Sequence, residues 1–248
     1  MRVFRSFDEA PSLRAPVVAV GSFDGVHLGH RALLEMTMRL ARERGGESVA
    51  VTFDPHPRRV TGGEVPGELT SVEEKALLLG ELGVDNLLVA PFTKEFSRLP
   101  PEEFVRDCLV GRLGMRALAM GYNHHFGRDK EGGLELLRRL QGQSGFELHE
   151  LPRQEVGCHK VSSTVIRGLI ACGDMAGAAQ LLGRPYFMLA RIEKERLLPL
   201  SPYKLVPQEG SYPVEVDGVR NRLIVGAKGR LTLESARSVY EKVLITFG

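Results

Sequence analysis

The 248-residue sequence predicts an α/β domain built on an open parallel sheet, followed by a small antiparallel β domain. Three observations lead to this fold class. Short apolar runs alternate with helical patterns over the first three-quarters of the chain, which is typical of right-handed βαβ units. After Arg184 the pattern changes to alternating apolar and polar residues, which is typical of antiparallel strands. Hydrophobic residues make up 43% of the chain and charged residues 26%, an ordinary composition that can form a sizeable core.

We predict the first domain over residues 1–185, with five strands separated by helices. The apolar run Val17–Phe23 predicts the first strand, and the spacing of Leu33 and Leu40 predicts a helix that the glycines at 45 and 46 end. Further strands are predicted at residues 48–53, 85–92, 117–122 and 146–151. Further helices are predicted at residues 73–82, from Pro101 onwards, and at residues 134–140, 162–173 and 174–183. Ligands of open parallel sheets bind beyond the carboxyl ends of the strands, so we expect the functional residues there.

The second domain, predicted over residues 186–248, consists of short segments in which apolar and polar residues alternate. The alternating apolar positions are Tyr212, Val214, Val216, Leu223, Val225, Leu231, Leu233, Val243, Ile245 and Phe247. Residues 227–229, Ala-Lys-Gly, are typical of a hairpin turn. Together these features predict a small antiparallel unit.

Charge and cysteine content exclude several classes of protein. The chain has 33 basic and 31 acidic residues, and this near balance gives no reason to expect nucleic acid or a membrane surface as the main partner. Cys108, Cys158 and Cys172 have no C-x-x-C spacing and are expected to be free thiols in a reducing compartment. The N-terminal residues lack the apolar core of a secretory signal, and no apolar run approaches the roughly 18 residues of a membrane-spanning helix. We therefore expect a cytoplasmic protein, and the sequence leaves its oligomeric state open.

The strongest chemical signal is the segment GSFDGVHLGH at residues 21–30, between the first strand and the first helix. The N–H groups and the dipole of a helix N-terminus attract phosphate, and Gly29 leaves room for a phosphate chain. His27 and His30 fall on the same side of the first turn, where both can donate hydrogen bonds to phosphate oxygens as charge develops on a leaving pyrophosphate. We predict that the two histidines are catalytic. Gly21, Ser22, Phe23, Asp24 and Gly29 are predicted to contact the nucleotide.

Two other interpretations of this segment stay open. It could be a helix-capping turn with two partly buried histidines. It could also be half of a zinc site, for which His124 and His125 are the nearest further candidates.

A second phosphate motif, VSSTVIR, occupies residues 161–167 at the predicted start of a later helix. The hydroxyls of Ser162, Ser163 and Thr164 can cap that helix and donate to phosphate oxygens. Arg167, one turn further on, can bind the same anion through two nitrogens. Alone, the pattern would favour an ordinary serine cap with a surface arginine. Beside the H-x-G-H segment, it predicts that the three hydroxyls and Arg167 bind phosphate oxygens.

The two motifs resemble those of the nucleotidylyltransferase superfamily, whose fold is a Rossmann-like parallel sheet. More narrowly, the chain resembles bacterial FAD synthetase, which usually combines riboflavin kinase and FMN adenylyltransferase activities. The similarity covers about residues 15–187 in the same order. It is carried by GSFDGVHLGH, by FDPHPR at 53–58, by GYNHHFG at 121–127 and by VSSTVIR, and further by Leu69-Thr70, Pro91-Phe92 and LLGRPY at 181–186.

The resemblance implies that the nucleotide is ATP and that both motifs bind it. It also implies that His27, His30 and Arg167 are catalytic and that a further set of residues binds the flavin. The implied flavin-binding residues are Phe53, His56, Pro57, Asn123 and Phe126. The family often has an aspartate where this chain has Asn123, and the loss of that charge leaves the metal ligands unknown. The implied reaction is attack of the FMN phosphate on ATP to give FAD and pyrophosphate, with Mg²⁺ as the expected cofactor.

The C-terminal domain departs from the riboflavin kinase domain of the family, which is longer and contains a Pro-Thr-Ala-Asn signature. Residues 190–205 contain neither glycine nor that signature, and Glu234 is the nearest candidate for the kinase's catalytic glutamate. We therefore expect a shortened barrel without kinase activity. Two alternative functions stay open. One is adenylyl transfer to another phosphate acceptor, such as phosphopantetheine or nicotinamide mononucleotide; the other is non-catalytic sensing of flavin or nucleotide.

Overall fold

The computed structural model describes residues 1–62, 67–121, 126–127, 132–152, 155–156, 159–193, 196–235 and 242–248. The chain divides into two compact units, each built from separate stretches of sequence. The first unit contains residues 1–23, 29–65 and 76–154, and the second contains residues 24–28, 66–75 and 155–248. The predicted division between residues 185 and 186 stays a prediction.

The first unit is built on a six-stranded parallel sheet, which confirms the predicted α/β class. Its strands are β1 (Arg2–Phe4), β2 (Val17–Val20), β3 (Ser48–Asp54), β4 (Asn86–Pro91), β5 (Ala117–Gly121) and β6 (Glu147–Leu151). They lie in the order β1-β4-β3-β2-β5-β6. The order places β2 and β3 at the centre, so that the loops following their carboxyl ends are central as well.

The helices that follow these strands are α1 (Leu28–Glu43), α2 (Pro57–Val60), α3 (Val72–Leu82), α4 (Lys94–Ser97), α5 (Pro101–Glu103) and α6 (Leu134–Ser144). A π-helix (Phe104–Arg112) continues directly from α5. Within the described part of the chain, no helix is both long enough and apolar enough to span a bilayer.

Both faces of the parallel sheet are covered, because successive residues of a strand point to opposite faces. Val18 of β2 belongs to a buried cluster with Phe104 of the π-helix and Leu137 of α6. Val17, one residue earlier, packs instead with Leu40 of α1. All four residues of β2 are buried, as expected for a central parallel strand.

The second unit combines two helices with a closed antiparallel barrel. The helices are α7 (Ser163–Ala171), capped by Ser162, and α8 (Met175–Leu182), capped by Asp174 and ended by the left-handed Gly183. The barrel strands are β9 (Phe187–Glu193), β10 (Arg196–Pro199), β11 (Gly210–Val216), β12 (Val219–Gly226), β13 (Arg230–Leu233) and β14 (Lys242–Phe247), and they close in the order β10-β13-β12-β11-β14-β9. A two-stranded ribbon, β7 (Glu155–Val156) and β8 (His159–Lys160), precedes α7.

The alternation in the C-terminal sequence predicted the barrel interior correctly. Leu223 and Val225 of β12 are buried while Ile224 between them is exposed, and Val243 and Ile245 of β14 are buried in the same core. That core also contains apolar residues of α7 and α8. The predicted hairpin turn is a short 3₁₀ turn at 227–229 that joins β12 to β13.

Some predicted elements differ from the structure. β2 ends at Val20 rather than at Phe23, because Phe23 has a φ of 46°, which lies outside the strand region. The helix predicted from Pro101 is α-helical for three residues only and then becomes the π-helix, whose wider turn still buries Phe104 and Cys108. The sequence patterns did not predict β1, α2, α4, the β7–β8 ribbon, β9 or β10.

Candidate active site

The loop that follows β2 is fixed by backbone hydrogen bonds and by one buried ring. The N–H of Gly21 donates to the carbonyl of Val51 at 3.0 Å, and the hydroxyl of Thr52 donates to the carbonyl of Ser22 at 3.0 Å. The side chain of Phe23 is fully buried. Three of the predicted ATP-binding residues therefore lie in a rigid turn at the carboxyl end of the central strand.

The N-terminal turn of α1 carries Gly29 and His30. The ring of Phe23 packs edge to face against the imidazole of His30, with the ring centroids 5.4 Å apart, and Nδ1 of His30 is buried. The first turn of this 16-residue helix contains no acidic side chain, so the positive end of the helix dipole is not offset there. The geometry suits an anion at this helix terminus.

The carboxylate of Asp24 organises the part of the site that belongs to the second unit. Asp24 is only 2% exposed. It accepts hydrogen bonds from the N–H of Thr70 at 2.9 Å, from the hydroxyl of Thr70 at 3.2 Å and from the N–H of Leu69 at 3.2 Å. It also forms an ion pair with the guanidinium of Arg167. The acidic residue of the first motif is therefore bonded to the protein itself.

Arg167 is buried, and two of its nitrogens bond to other parts of the unit. Nη2 pairs with Asp24, and Nε donates to the carbonyl of Gly67 at 3.1 Å. A buried guanidinium is stable only when it is paired and hydrogen-bonded, and these two contacts meet that requirement. Arg167 thus connects α7 to the segment at residues 67–70 and to the first motif.

The second predicted motif meets the first at the start of α7. The hydroxyl of Ser163 donates to the backbone carbonyl of Asp24 at 2.9 Å, across 139 positions of sequence. Ser162 caps α7 by accepting from the N–H of Val165 at 3.4 Å, and Thr164 is exposed in the first turn. The structure therefore brings Asp24 of the first motif together with Ser163 and Arg167 of the second.

Between Asp24 and α1 the chain adopts a strained conformation that neighbouring groups hold in place. Gly25 has a φ of 84° and Val26 a φ of 40°. The N–H of Gly25 donates to the hydroxyl of Thr70 at 3.0 Å, and its carbonyl accepts from Nη2 of Arg184 at 2.8 Å. Positive φ is costly for valine. The hydrogen bonds to the N–H and to the carbonyl of Gly25 are therefore needed to hold the loop in this conformation.

His27 is buried beside this loop, and its environment keeps it neutral. It is 6% exposed, and burial lowers its pKa from 6.5 to about 4, with the Asp24 carboxylate opposing that shift and Arg167 adding slightly to it. At neutral pH the ring therefore carries one N–H donor and one acceptor nitrogen. A neutral imidazole can still donate a hydrogen bond to an anion.

The predicted flavin residues that the structure describes lie in the first unit. Phe53, at the end of β3, packs in an aromatic cluster with Phe92 at 5.5 Å and Phe96 at 5.9 Å between ring centroids. Phe126 joins the same cluster through Phe104, at 5.8 Å. This group of Phe53, Phe92, Phe96, Phe104 and Phe126 is called the phenylalanine cluster below.

His56 and Pro57 are placed by the short helix α2. His56 is its N-cap, with Nδ1 accepting from the N–H of Arg58 at 3.3 Å, and Pro57 occupies the first helical position. Asn123, the remaining predicted flavin residue, lies outside the described residues.

Possible metal ligands are His, Cys, Asp and Glu side chains that lie close together. Among the residues that the structure describes, no group of three or more His, Cys, Asp or Glu side chains is arranged to hold a metal ion. The carboxylate of Asp24 is already bonded to two amides, a hydroxyl and a guanidinium. The oxygens of Asp24 are therefore already used within the protein. His124 and His125, the other candidates for zinc, lie outside the described residues.

Several residues of the site were not assigned a role from the sequence. Thr70 was noted only as part of a similar Leu-Thr pair, yet its hydroxyl and N–H hold both Asp24 and Gly25. Arg184, noted only within a similar segment, holds the Gly25 carbonyl, and its guanidinium lies 4.9 Å from the centre of the Phe187 ring.

The first unit also contains a cavity of about 500 Å³, lined by Pro100, Pro101, Glu102, Glu135, Leu136 and Arg139.

Comparison with known proteins identifies the family. The family model described as FAD synthetase matches residues 9–165. The chain is 38% identical over 173 residues to the bifunctional riboflavin kinase/FMN adenylyltransferase of Listeria monocytogenes. This match covers 68% of this chain and 54% of that protein. The chain therefore spans about half the length of this bifunctional relative. It is 33% identical over 216 residues to a second Listeria monocytogenes protein, an FAD synthetase, covering 85% of this chain and 87% of that protein.

A solved structure matches the fold. The crystal structure of a macrolide-efflux protein from Streptococcus pneumoniae superposes with a TM-score of 0.84, covering 99% of this chain and 88% of that chain at 23% identity. At this identity the likeness concerns the fold alone. The family match and the 33% identity to a protein of similar length confirm the resemblance in the sequence motifs. The chain belongs to the FAD synthetase family of nucleotidyltransferases.

Proposed function

We propose that this protein is an FMN adenylyltransferase, which transfers AMP from ATP to the phosphate of FMN and releases FAD and pyrophosphate. The observation that carries the proposal is the junction of the two phosphate motifs at Asp24, where Ser163 and Arg167 meet the loop that leads to His27. Family membership supports the choice of FMN over another phosphate acceptor.

The proposed chemistry needs no nucleophilic side chain. An oxygen of the FMN phosphate attacks the α-phosphorus of ATP and forms a new P–O bond. The bond from that phosphorus to the bridging oxygen breaks, and pyrophosphate leaves with the electron pair. In phosphoryl-type transfer the protein contributes mainly by positioning the reactants and stabilising charge.

The residues of the two motifs divide this work. His27 and His30 donate hydrogen bonds to the leaving pyrophosphate, and the dipole of α1 favours the same charge. Thr164 and the first N–H groups of α7 offer further donors, while Ser162 and Ser163 keep that helix end in place. Arg167, fixed beside Asp24, is the proposed catalytic arginine and contributes positive charge to the transition state.

Mg²⁺ is proposed to enter as part of the Mg–ATP substrate. Mg²⁺ is commonly bound through substrate phosphates with few protein carboxylates, which suits a site whose acidic residue is already bonded. The flavin ring is proposed to bind near the phenylalanine cluster, with Phe53, Phe126, His56 and Pro57 as contacts and Asn123 as a further one. The proposed partners are these small molecules alone, in the cytoplasm.

We further propose that the protein lacks riboflavin kinase activity. Residues 190–205, which correspond to the kinase signature region, contain no Pro-Thr-Ala-Asn sequence and instead supply part of β9, the whole of β10 and the loop after it. The barrel nevertheless closes with six strands, so its retention is compatible with a purely structural role.

Chromatography of the purified protein after incubation with Mg–ATP and either FMN or riboflavin tests both proposals. We expect FAD from FMN and no flavin product from riboflavin. FMN formed from riboflavin would overturn the second proposal. No FAD from FMN would overturn the first and would favour another phosphate acceptor, or a flavin sensor if the protein is purified with yellow bound flavin.

Alanine substitution of each motif histidine tests the proposed mechanism. Loss of one preorganised donor to the leaving group should lower kcat by roughly a hundredfold, so we expect this for His27→Ala and for His30→Ala. His149→Ala, a partly exposed histidine on β6, is the control and should leave kcat unchanged. Near-normal kcat in both motif variants would remove the histidines from the mechanism.

A further inference from the structure

The second unit contains a fully buried ion pair between the barrel and the N-terminal half of the chain. Nζ of Lys204 lies 2.6 Å from Oε2 of Glu74, and both side chains are 1% exposed. The ammonium also donates to the carbonyl of Leu69 at 2.7 Å and to the carbonyl of Phe187 at 2.7 Å. All three of its N–H donors are thereby used, and the ring of Tyr186 lies 4.4 Å from the nitrogen.

Glu74 is held as completely as its partner. Its Oε1 accepts from the N–H of Leu189 in β9 at 2.7 Å. Its Oε2 accepts from the N–H of Ser71 at 2.9 Å, and the hydroxyl of Ser71 caps the N–H of Glu74 at 3.2 Å, which completes a capping box at the start of α3. Burial of two charges is costly unless every group is bonded in this way, and removal of one partner leaves an uncompensated charge.

The segment that Lys204 holds is the one that holds Asp24. The carbonyl of Leu69 accepts from Lys204, while the N–H of Leu69 and both donors of Thr70 bond to the carboxylate of Asp24. The hydroxyl of Thr70 also accepts from Gly25, two residues before His27. A continuous chain of hydrogen bonds therefore leads from the barrel to the loop of the first phosphate motif.

The backbone around Lys204 reinforces this contact. The N–H of Glu68 donates to the carbonyl of Tyr203 at 2.7 Å, and the N–H of Leu205 donates to the carbonyl of Glu68 at 2.8 Å. A side chain at Gly67 would approach the Cα of Leu205 within 2.9 Å, so only glycine allows the two segments to lie this close. The loop after β10, in the region where the kinase signature would lie, is thus fitted against residues 67–70.

We propose that Lys204 is a positioning residue for adenylyl transfer, through which the C-terminal barrel fixes the Leu69–Thr70 segment and thereby the Asp24–His27 loop. This inference rests on the proposed FMN adenylyltransferase activity. It gives the barrel a part in that reaction that does not depend on any kinase chemistry of its own. The part of the reaction that it affects is the binding of the ATP phosphates, since the chain of contacts ends at the first phosphate motif.

Two variants separate this role from simple folding. Lys204→Met leaves Glu74 as an unpaired buried charge, so the double variant Glu74→Gln/Lys204→Met, which carries no buried charge at this point, is the main test. Lys242→Met replaces an exposed lysine of the same barrel and is the matched control. Melting temperature, the KM for Mg–ATP, the KM for FMN and kcat are measured for each variant, together with amide exchange of a peptide that spans residues 67–71.

We expect the double variant to remain folded, to lose at least tenfold in kcat/KM for Mg–ATP, and to keep its KM for FMN within about twofold of wild type; the tenfold loss corresponds to about 1.4 kcal/mol. Amide exchange at residues 67–71 should be faster, while Lys242→Met should match wild type in every measurement. Unchanged kinetics for Mg–ATP in the folded double variant would overturn the inference and leave the proposed function intact. No FAD from the wild type would overturn both.

Discussion

At the scale of single residues, the neutral imidazole of His27 has a consequence for stability. Burial holds its pKa near 4 in the folded protein, below the ordinary value of 6.5. As the pH falls below 6.5, the unfolded chain takes up a proton at this position before the folded chain does, which favours unfolding. Titration of His27 therefore leaves the free energy of unfolding unchanged above pH 6.5. As the pH falls from 6.5 towards 4, it lowers the free energy of unfolding by about 3 kcal/mol.

Urea unfolding of the wild type and of His27→Gln across this pH interval measures the effect. Glutamine is polar but does not titrate, so the variant should lose less stability than the wild type as the pH falls from 6.5 to 4. His149→Gln, on β6, is the control for replacing a histidine by glutamine. Parallel profiles for the wild type and His27→Gln would contradict a buried neutral imidazole.

The sequence indicates which residues could bind phosphate, but it does not indicate how the residues of the candidate site pair with one another. Histidines at a strand–helix junction and hydroxyls at a helix start have a recognisable spacing, so His27, His30 and Ser163 are candidates from the sequence alone. The ion pair of Asp24 with Arg167 spans 143 positions, and no local pattern encodes it. Thr70 carries no chemistry of its own and matters only because the fold brings it to Asp24.

At the scale of elements, the loop from Asp24 to Leu28 depends on glycine at position 25. A Cβ there would lie 2.8 Å from Cδ1 of Leu69 and 3.3 Å from Cδ2 of Leu182, and the φ of 84° is itself unfavourable for alanine. Gly45 has a φ of 58° with open space around it, so Gly45→Ala measures the backbone cost alone. We expect Gly25→Ala to be about 1–3 kcal/mol more destabilising than Gly45→Ala, because buried Leu69 must move.

Thermal unfolding and FAD formation check this prediction together. Leu69 also donates its N–H to Asp24, so its displacement should lower the rate of FAD formation in Gly25→Ala while Gly45→Ala stays active. Equal stability and equal activity of the two variants would show that the loop tolerates a side chain at position 25.

The predictable elements are those whose pattern is set by their own residues. The central strands are short buried runs, and α7 and α8 have clear caps and glycine stops, so the sequence predicts all of them. The π-helix was mistaken for an α-helix because its apolar spacing fits both, and only the turn geometry distinguishes them. Met188, Leu189 and Ala190 are consecutively buried in β9, which hides the alternation that marks a barrel strand.

At the scale of the whole molecule, the second unit is assembled from residues 24–28, 66–75 and 155–248. A chain that stops at residue 185 keeps α7 and α8 but loses every barrel strand that buries Ile170 and Leu182 in the common core. We expect such a chain to form no FAD and to exchange the amides of Leu69 and Thr70 rapidly, as measured by mass spectrometry. Supplying residues 186–248 as a separate fragment is the control, and full activity of the shortened chain alone would contradict the prediction.

The buried pair of Glu74 and Lys204 also constrains how this chain can change over generations. The carboxylate lies in the first third of the 248-residue sequence and the ammonium in its last fifth, so deletion of the C-terminal residues in one event would leave Glu74 without the ammonium that neutralises it. Replacement of the C-terminal residues one at a time keeps Glu74 paired as long as Lys204 persists. Selection for FAD formation alone would therefore preserve the barrel as inherited architecture, even after any chemistry of its own has disappeared.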